Sequence, residues 1–270
     1  MFTSNPFATL SASVPAEFMQ GFVLLMLVLV AAGTLFEVVH KGSAKYFFQN
    51  WRNSRSKAAK PLGGGELVAI AVKTALVDVA ASGEFCNMRR RVAHLLTMYG
   101  FVLYVIATAV MVFDLSARGL VAQLWWLGGL MVLAGGYWFW FFIRVDVAAE
   151  GNSPLRVVYA DVFILSLLVS VTLGLVWAGA GGGAGVLFAL YVLTTAVLFG
   201  SVPWSKFAHM FFKPAAAFEK RVSNANGSAE NLPTLTRDDP EQQKRHSMDL
   251  LRDAPMDMGL GIKREAPRHY

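Results

Sequence analysis

Residues 89–113 read RRRVAHLLTMYGFVLYVIATAVMVF, so three consecutive arginines and a histidine precede 19 residues that carry no formal charge. A helix needs roughly 20 predominantly apolar residues to cross a bilayer, so this stretch predicts a transmembrane helix that begins among the lipid headgroups. His94 lies just inside the apolar part. Neutral imidazole is a common metal ligand, and an ionisable side chain at this depth needs a partner or a function. The stretch therefore predicts a membrane span with a candidate ligand at one end.

The composition of the whole chain is typical of a membrane protein, because 55% of the 270 residues are hydrophobic and only 16% are charged. The mean hydropathy is positive, at +0.48. We expect an all-α integral membrane protein with five transmembrane helices, since five apolar runs approach the length of a span. The predicted spans cover residues 18–39, 92–113, 124–143, 157–178 and 186–202. A shorter helix at 67–81 contains Lys73 and Asp78, and we place it at the membrane interface.

The basic residues predict the orientation of the spans. Ten of the 24 lysines and arginines lie between the first and second spans, and eleven lie from Lys206 onward. Cytoplasmic loops carry an excess of Lys and Arg, so both regions are expected on the cytoplasmic side, which requires an odd number of spans. Residues 1–17 then form a periplasmic N-terminus, 18–212 the five-helix membrane domain and 213–270 a polar cytoplasmic tail. Membrane topology thus explains the pI of about 9.5 better than a nucleic acid partner does.

Cysteine usage limits the redox chemistry that the chain can support. Cys86 is the only cysteine, which excludes an internal disulfide and a four-cysteine iron–sulfur cluster. Any redox cofactor must use other ligands, and the chain has five histidines, at positions 40, 94, 209, 246 and 269.

Two of these histidines are candidate ligands of one cofactor. His94 opens the second span and His209 follows the fifth, so five-span topology puts both at the cytoplasmic side. Two histidines on different helices at one depth suit the axial positions of a heme b. Cations near them would pair with the heme propionates, and the candidates are Arg90, Arg91 and Lys206. The residues alone leave a second interpretation open, in which both histidines are interfacial side chains with their ring tips among the headgroups.

Two motifs carry a family resemblance. Residues 91–101, RVAHLLTMYGF, and residues 203–214, PWSKFAHMFFKP, resemble the membrane cytochrome b family of the respiratory nitrate reductase gamma subunit. The two motifs also resemble those of membrane subunits that act in sulfur metabolism. These are the membrane subunits of heterodisulfide-reductase-like complexes and of quinone-interacting membrane-bound oxidoreductase complexes, and the membrane anchor of adenylylsulfate reductase. The resemblance covers about residues 18–214. It implies heme b ligation by His94 and His209.

The resemblance also predicts the number of hemes. Family members with two hemes carry a second histidine pair, about ten residues after the first histidine and about eighteen before the last. In this chain those positions are Tyr104 and Tyr191, so one heme is expected rather than two. A tyrosine phenolate can bind ferric heme, but we favour a packed, hydrogen-bonded tyrosine pair. In the family the heme on that side adjoins the quinone pocket.

Other polar side chains in the spans have structural and functional interpretations. For Asp161 we expect an ion pair with Arg144 or Arg156, and the alternative is a proton relay for quinone chemistry. Glu37 is expected to pair with Lys41, four residues on. His40 is a further candidate ligand, although a capping or interfacial histidine is favoured.

The function implied by the resemblance is that of a membrane anchor and electron-transfer subunit, not catalytic alone, in the bacterial inner membrane. It would link a cytoplasmic iron–sulfur or flavin oxidoreductase, with adenylylsulfate reductase the favoured partner, to the quinone pool. The partner would dock on the cytoplasmic face and the C-terminal tail. The alternative is a heme-free structural anchor. A transporter is disfavoured, because the second, third and fifth spans contain no charged residue.

Overall fold

The computed structural model describes residues 2–40, 42–83, 85, 87–144, 157–204, 209–230 and 232, with backbone alone at 43, 160, 209 and 211. Every regular element among them is helical. The helices are α1 (Pro6–Leu10), α2 (Ala16–His40), α3 (Ser43–Ser56), α4 (Gly64–Lys73), α5 (Met88–Phe113), α6 (Leu120–Trp138), α7 (Val162–Gly179), α8 (Val186–Gly200) and α9 (His209–Ala225). A π-helical turn continues α4 through Thr74–Ala80 and another continues α6 through Phe139–Ile143, while 3₁₀ turns occupy Tyr159–Asp161 and Val202–Trp204.

Four of these helices are long and apolar enough to cross a membrane. They are Ala16–His40, Met88–Phe113, Leu120–Ile143 and Val162–Gly179. The apolar helix α8 has 15 residues, and these rise about 22 Å, less than the roughly 30 Å of a hydrocarbon core. The structure therefore supports the predicted multi-pass, all-α membrane protein, and each helix begins and ends within a few residues of the predicted span.

The chain forms two compact units, and the first comprises Met1–Ala44 and Asn87–Lys213. Its closest helix pair is α5 with α6, where glycines let the two backbones meet. A Cβ added to Gly128 would lie 2.7 Å from the Tyr104 nitrogen, and one added to Gly135 would lie 2.6 Å from the Ala93 oxygen. Small residues permit such close packing of membrane helices. The glycines of α6 thus determine how closely α5 packs against α6.

The N-terminal residues pack against the longer helices of this unit. Asn5 is buried, and its Nδ2 donates to the Met111 carbonyl at 2.9 Å, in the last turn of α5, where helix carbonyls have no intrahelical partner. Phe7 follows in α1 and contacts the rings of Trp125 and Trp177. The segment therefore closes one end of the helix bundle.

The second unit comprises Lys45–Cys86 and Pro214–Tyr270. The basic region after the first span is helical, as α3, and the predicted tail from residue 213 is helical as far as Ala225. The ring of Trp51 stacks on Phe218 with centroids 5.7 Å apart. Beside them, the buried Ser54 hydroxyl lies 3.1 Å from that of Ser223. The start of the predicted polar tail, residues 213–225, is thus helical.

The predicted interfacial helix at 67–81 is present in this unit and begins earlier, at Gly64. Glu66 caps its first turn by accepting from the Gly63 nitrogen at 2.9 Å. In the π-helical turn that follows, Asp78 forms a two-point ion pair with Arg221 of α9, at 2.5 and 2.7 Å. Asp78 therefore has a structural partner, and the position of the helix at a membrane surface stays a prediction.

Candidate functional site

His94 lies half-buried near the start of α5. The Asn87 side chain caps this end of the helix by accepting from the Arg89 nitrogen at 2.9 Å. Residues at intervals of seven share a helix face, so His94 lies on the same side of α5 as Phe101 and Thr108, which line an internal cavity. A half-buried imidazole at a helix end suits one axial position of a heme b.

The structure tests the other predicted heme contacts only in part. His209 begins α9, but its side chain and the whole of Lys206 lie outside the described residues. Arg90 is exposed and donates to the Ile143 carbonyl at 3.4 Å, whereas Arg91 is half-buried. The described residues contain no group of three or more His, Cys, Asp or Glu side chains that would hold a bare metal ion. A bis-histidine heme needs only two donors, so its ligation by His94 and His209 stays a prediction.

A tyrosine pair lies where the family resemblance predicts the ligands of a second heme. Tyr104 donates from its hydroxyl to the Tyr191 hydroxyl at 3.1 Å, and both side chains are buried. Axial ligands on opposite faces of one iron lie about 4 Å apart, since each bond is about 2 Å, and the porphyrin lies between them. Direct hydrogen bonding of the two hydroxyls leaves no such space. The prediction of a packed, hydrogen-bonded pair is confirmed, and these residues do not fit a second heme.

Neighbouring aromatic rings hold the tyrosine pair in place. Trp125 stacks on Tyr104 with centroids 5.0 Å apart, and Trp177 stacks on Tyr191 at 5.8 Å. Gly174 lies against the pair, and a Cβ at this position would overlap the Tyr104 hydroxyl. The absence of a side chain at Gly174 is therefore what allows the two hydroxyls to meet.

Thr108 connects Trp125 to the backbone of Tyr104. Its hydroxyl accepts from Trp125 Nε1 at 2.8 Å and donates to the Tyr104 carbonyl at 2.7 Å. Thr108 thus fixes the orientation of the Trp125 ring, which stacks on Tyr104.

The tyrosine pair forms part of the wall of a cavity of about 310 Å³. The cavity lies between α1, α2, α5, α7 and α8, and most of its lining is aliphatic or aromatic. The polar side chains in the wall are all uncharged: Tyr104, Thr108, Ser170, Tyr191 and Thr195. Ser170 and Thr195 are 2.7 Å apart, oxygen to oxygen, and form a second polar pair. Sequence analysis missed this cavity, because it is lined by residues from five helices with no common motif.

Asp161 has the structural partner that was expected. Its carboxylate pairs with Arg144 at 2.5 Å, and the Arg144 guanidinium also lies 4.0 Å above the Trp140 ring. The ion pair with Arg144 is thus confirmed, whereas Arg156 lies outside the described residues. The pairing supplies the partner that a carboxylate needs at a membrane helix end.

Two further candidate residues, His40 and Glu37, lie at the end of α2. His40 is exposed and stacks on Phe36 with ring centroids 5.1 Å apart, which agrees with an interfacial side chain. Glu37 is buried, and its predicted partner Lys41 lies outside the described residues.

Comparison with known proteins gave one distant match. The chain is 29% identical over 163 residues to citrate utilization protein B of Escherichia coli, an alignment that covers 55% of this chain and 43% of that protein. The chain thus spans less than half the length of this relative. No family model matches the chain, and no solved structure matches it.

Proposed function

We propose that the chain is the membrane anchor and electron-transfer subunit of an oxidoreductase complex in the bacterial inner membrane. It links a cytoplasmic iron–sulfur or flavin oxidoreductase of sulfur metabolism, with adenylylsulfate reductase as the favoured partner, to the quinone pool. The proposal rests on the resemblance of the two histidine motifs to membrane cytochrome b subunits. The multi-pass helical structure supports it.

The proposed topology has five spans, with the N-terminus outside and the C-terminus inside. Four spans are the long apolar helices α2, α5, the α6 helix with its π-helical turn, and α7. The fifth is α8, which is short by itself but continues into the Val202–Trp204 turn. The two regions rich in Lys and Arg then face the cytoplasm, as the excess of positive charge in cytoplasmic loops requires.

The redox role rests on one heme b at the cytoplasmic end of the bundle. The half-buried position of the His94 imidazole is the observation that carries this role, because the five-span topology predicts His209 at the same depth in the membrane. Arg90, Arg91 and Lys206 are the candidates for pairing with the propionates. When bound, the heme supplies a one-electron carrier. The protein holds and orients it, and the chain alone completes no reaction.

A visible spectrum of the purified protein tests this proposal. We expect the reduced-minus-oxidised bands of a b-type cytochrome, and we expect their loss in His94→Ala and in His209→Ala. His40→Ala is the matched control, because His40 is an exposed histidine at a helix end, and it should leave the bands unchanged. A flat spectrum for the unaltered protein would favour the alternative, a heme-free structural anchor.

A further inference from the structure

We propose that the cavity beside α2 binds one acyl chain of an outer-leaflet phospholipid, and that this lipid completes the packing of α2 against the other helices of its unit. The inference goes beyond the proposed electron-transfer role and does not depend on it. It assigns the cavity of about 310 Å³ to a component of the membrane itself.

The hydroxyls in the cavity wall already have hydrogen-bond partners within the protein. Tyr104 donates to Tyr191 at 3.1 Å, and Thr108 donates to the Tyr104 carbonyl at 2.7 Å. Thr195 donates to the Tyr191 carbonyl, also at 2.7 Å, and its oxygen lies 2.7 Å from that of Ser170. A buried hydroxyl is costly only when it lacks a partner. An acyl chain, which forms no hydrogen bonds, therefore covers these groups without leaving one unsatisfied.

The remainder of the wall suits the chain of the lipid but not its headgroup. Among the described residues, the side chains that line the cavity are aliphatic, aromatic or uncharged hydroxyls. Burial of a charge without a partner is costly, so a phosphate does not fit inside. The headgroup must then stay outside the cavity, at the membrane surface.

The cavity opens toward lipid along α2. Phe18 and Leu27 of α2 line the cavity, yet they are 73% and 55% exposed. Side chains that line a cavity and also lie at the surface mark an edge where it opens. Because α2 is long and apolar enough to span a membrane, this edge faces the acyl chains of the bilayer in the proposed topology. A phospholipid chain thus enters sideways from the membrane.

The cavity has the length of one leaflet. The α2 side chains in its wall extend from Phe18 to Leu27 along one side of the helix. Nine residues rise about 14 Å, and one leaflet contributes about half of the roughly 30 Å hydrocarbon core. Phe18 lies in the first turn of α2, so this half is the outer leaflet in the proposed topology. An acyl chain parallel to α2 therefore fits, with its headgroup beside the start of the helix.

The helix α2 needs additional packing contacts. Of its 25 residues, four are buried, and they lie on one narrow face: Met19, Met26, Gly33 and Glu37. Two of these, Met19 and Met26, also line the cavity. Protein interiors contain few voids larger than a water molecule, and van der Waals packing holds membrane helices together. A chain in the cavity supplies the contacts that α2 lacks on this side.

Native mass spectrometry of the full-length protein tests the proposal. The protein is released from nanodiscs of palmitoyl-oleoyl phosphatidylethanolamine that also contain menaquinone-4, and we expect one retained phospholipid per chain. Ala109→Phe and Val192→Phe each add a ring to the cavity wall, from α5 and from α8. Each should lower the retained fraction about tenfold, because the ring and the acyl chain compete for the same volume.

Ile106→Phe and Leu193→Phe are the matched controls on the same two helices. Both residues are 58% exposed, and neither lines the cavity, so these variants should retain the phospholipid as the unaltered protein does. Thermal unfolding gives a second readout. Phospholipid added to the delipidated protein should raise the midpoint for the unaltered protein and the controls, but not for the two cavity variants.

Equal retention by the unaltered protein and both cavity variants would overturn the inference, since the lipid would then lie on the outer surface of the helices. Retention of menaquinone-4 or of a fatty acid in place of the phospholipid would also overturn it. If a cavity variant does not fold, the unaltered protein still decides, because a midpoint that phospholipid leaves unchanged contradicts the proposal. Retention is measured by mass with or without heme, so the result is independent of the proposed redox role.

Discussion

Gly174→Ala is the substitution that most directly tests the tyrosine pair. A Cβ at this position would overlap the Tyr104 hydroxyl and would lie 2.9 Å from Cε2 of Tyr191. Overpacking of a well-packed interior costs about 1–3 kcal/mol, and separating the hydroxyls loses about 1 kcal/mol of hydrogen bonding. The higher helix propensity of alanine offsets about 1 kcal/mol. We expect a net loss of about 1–3 kcal/mol in the free energy of unfolding.

The assay is the midpoint of thermal unfolding in detergent, which should fall by roughly 2–10 °C. The informative variant is the double substitution Gly174→Ala with Tyr104→Phe. Phenylalanine lacks the hydroxyl that meets the new Cβ, so the double variant should unfold at a higher temperature than Gly174→Ala alone. Gly21→Ala, in α2, is the control, because an added Cβ meets nothing within 4 Å there. If the effects of the two substitutions simply add, the tyrosine pair does not lie against Gly174 as described.

Three further predictions concern the second unit and the C-terminal tail. Arg221→Ala leaves the carboxylate of Asp78 without its two-point partner, so the free energy of unfolding of the unit should fall by about 1–2 kcal/mol. Trypsin should then cleave the unit faster. Arg52→Ala is the control and should have no such effect. Lys57 and Asn53 bond to Glu230 and lower the pKa of its carboxyl below the ordinary 4.5. Because the depressed pKa stabilises the fold above pH 4.5, the contact of α3 with the segment after α9 should weaken as the pH falls through the native pKa. Exchange of the amide hydrogens measures this, and Glu230→Gln should remove the dependence. Deletion of residues 257–270 should release the proposed cytoplasmic partner from membranes, and unchanged co-purification would contradict partner docking by the tail.

The membrane helices could be predicted from the sequence because long apolar runs with charged ends have few alternative structures. The run that follows Arg89–Arg91 is one such case, and its helix ends at Phe113 as expected. The tyrosine pair was also predictable, since the family resemblance gave the positions and the chemistry of two facing phenols gave the hydrogen bond. Spacing along two helices is enough to bring such side chains to one depth.

The second unit could not be predicted in the same way. The segments that form α3 and α9 are short and rich in charged residues, and each acquires an apolar partner only when Trp51 meets Phe218. Helices of this length are marginal without tertiary contacts. The same applies to the N-terminal residues, where Asn5 and Phe7 find their partners more than a hundred residues away in the chain. The cavity likewise depends on where five helices meet.

The ratio of heme to protein in the purified chain tests the central claim most directly. We expect one heme b per chain, because His94 and His209 would supply one pair of axial ligands and the bonded hydroxyls of Tyr104 and Tyr191 exclude a second heme. Two hemes per chain would contradict the structure of the tyrosine pair. No heme would contradict the electron-transfer role and leave the structural anchor as the remaining account.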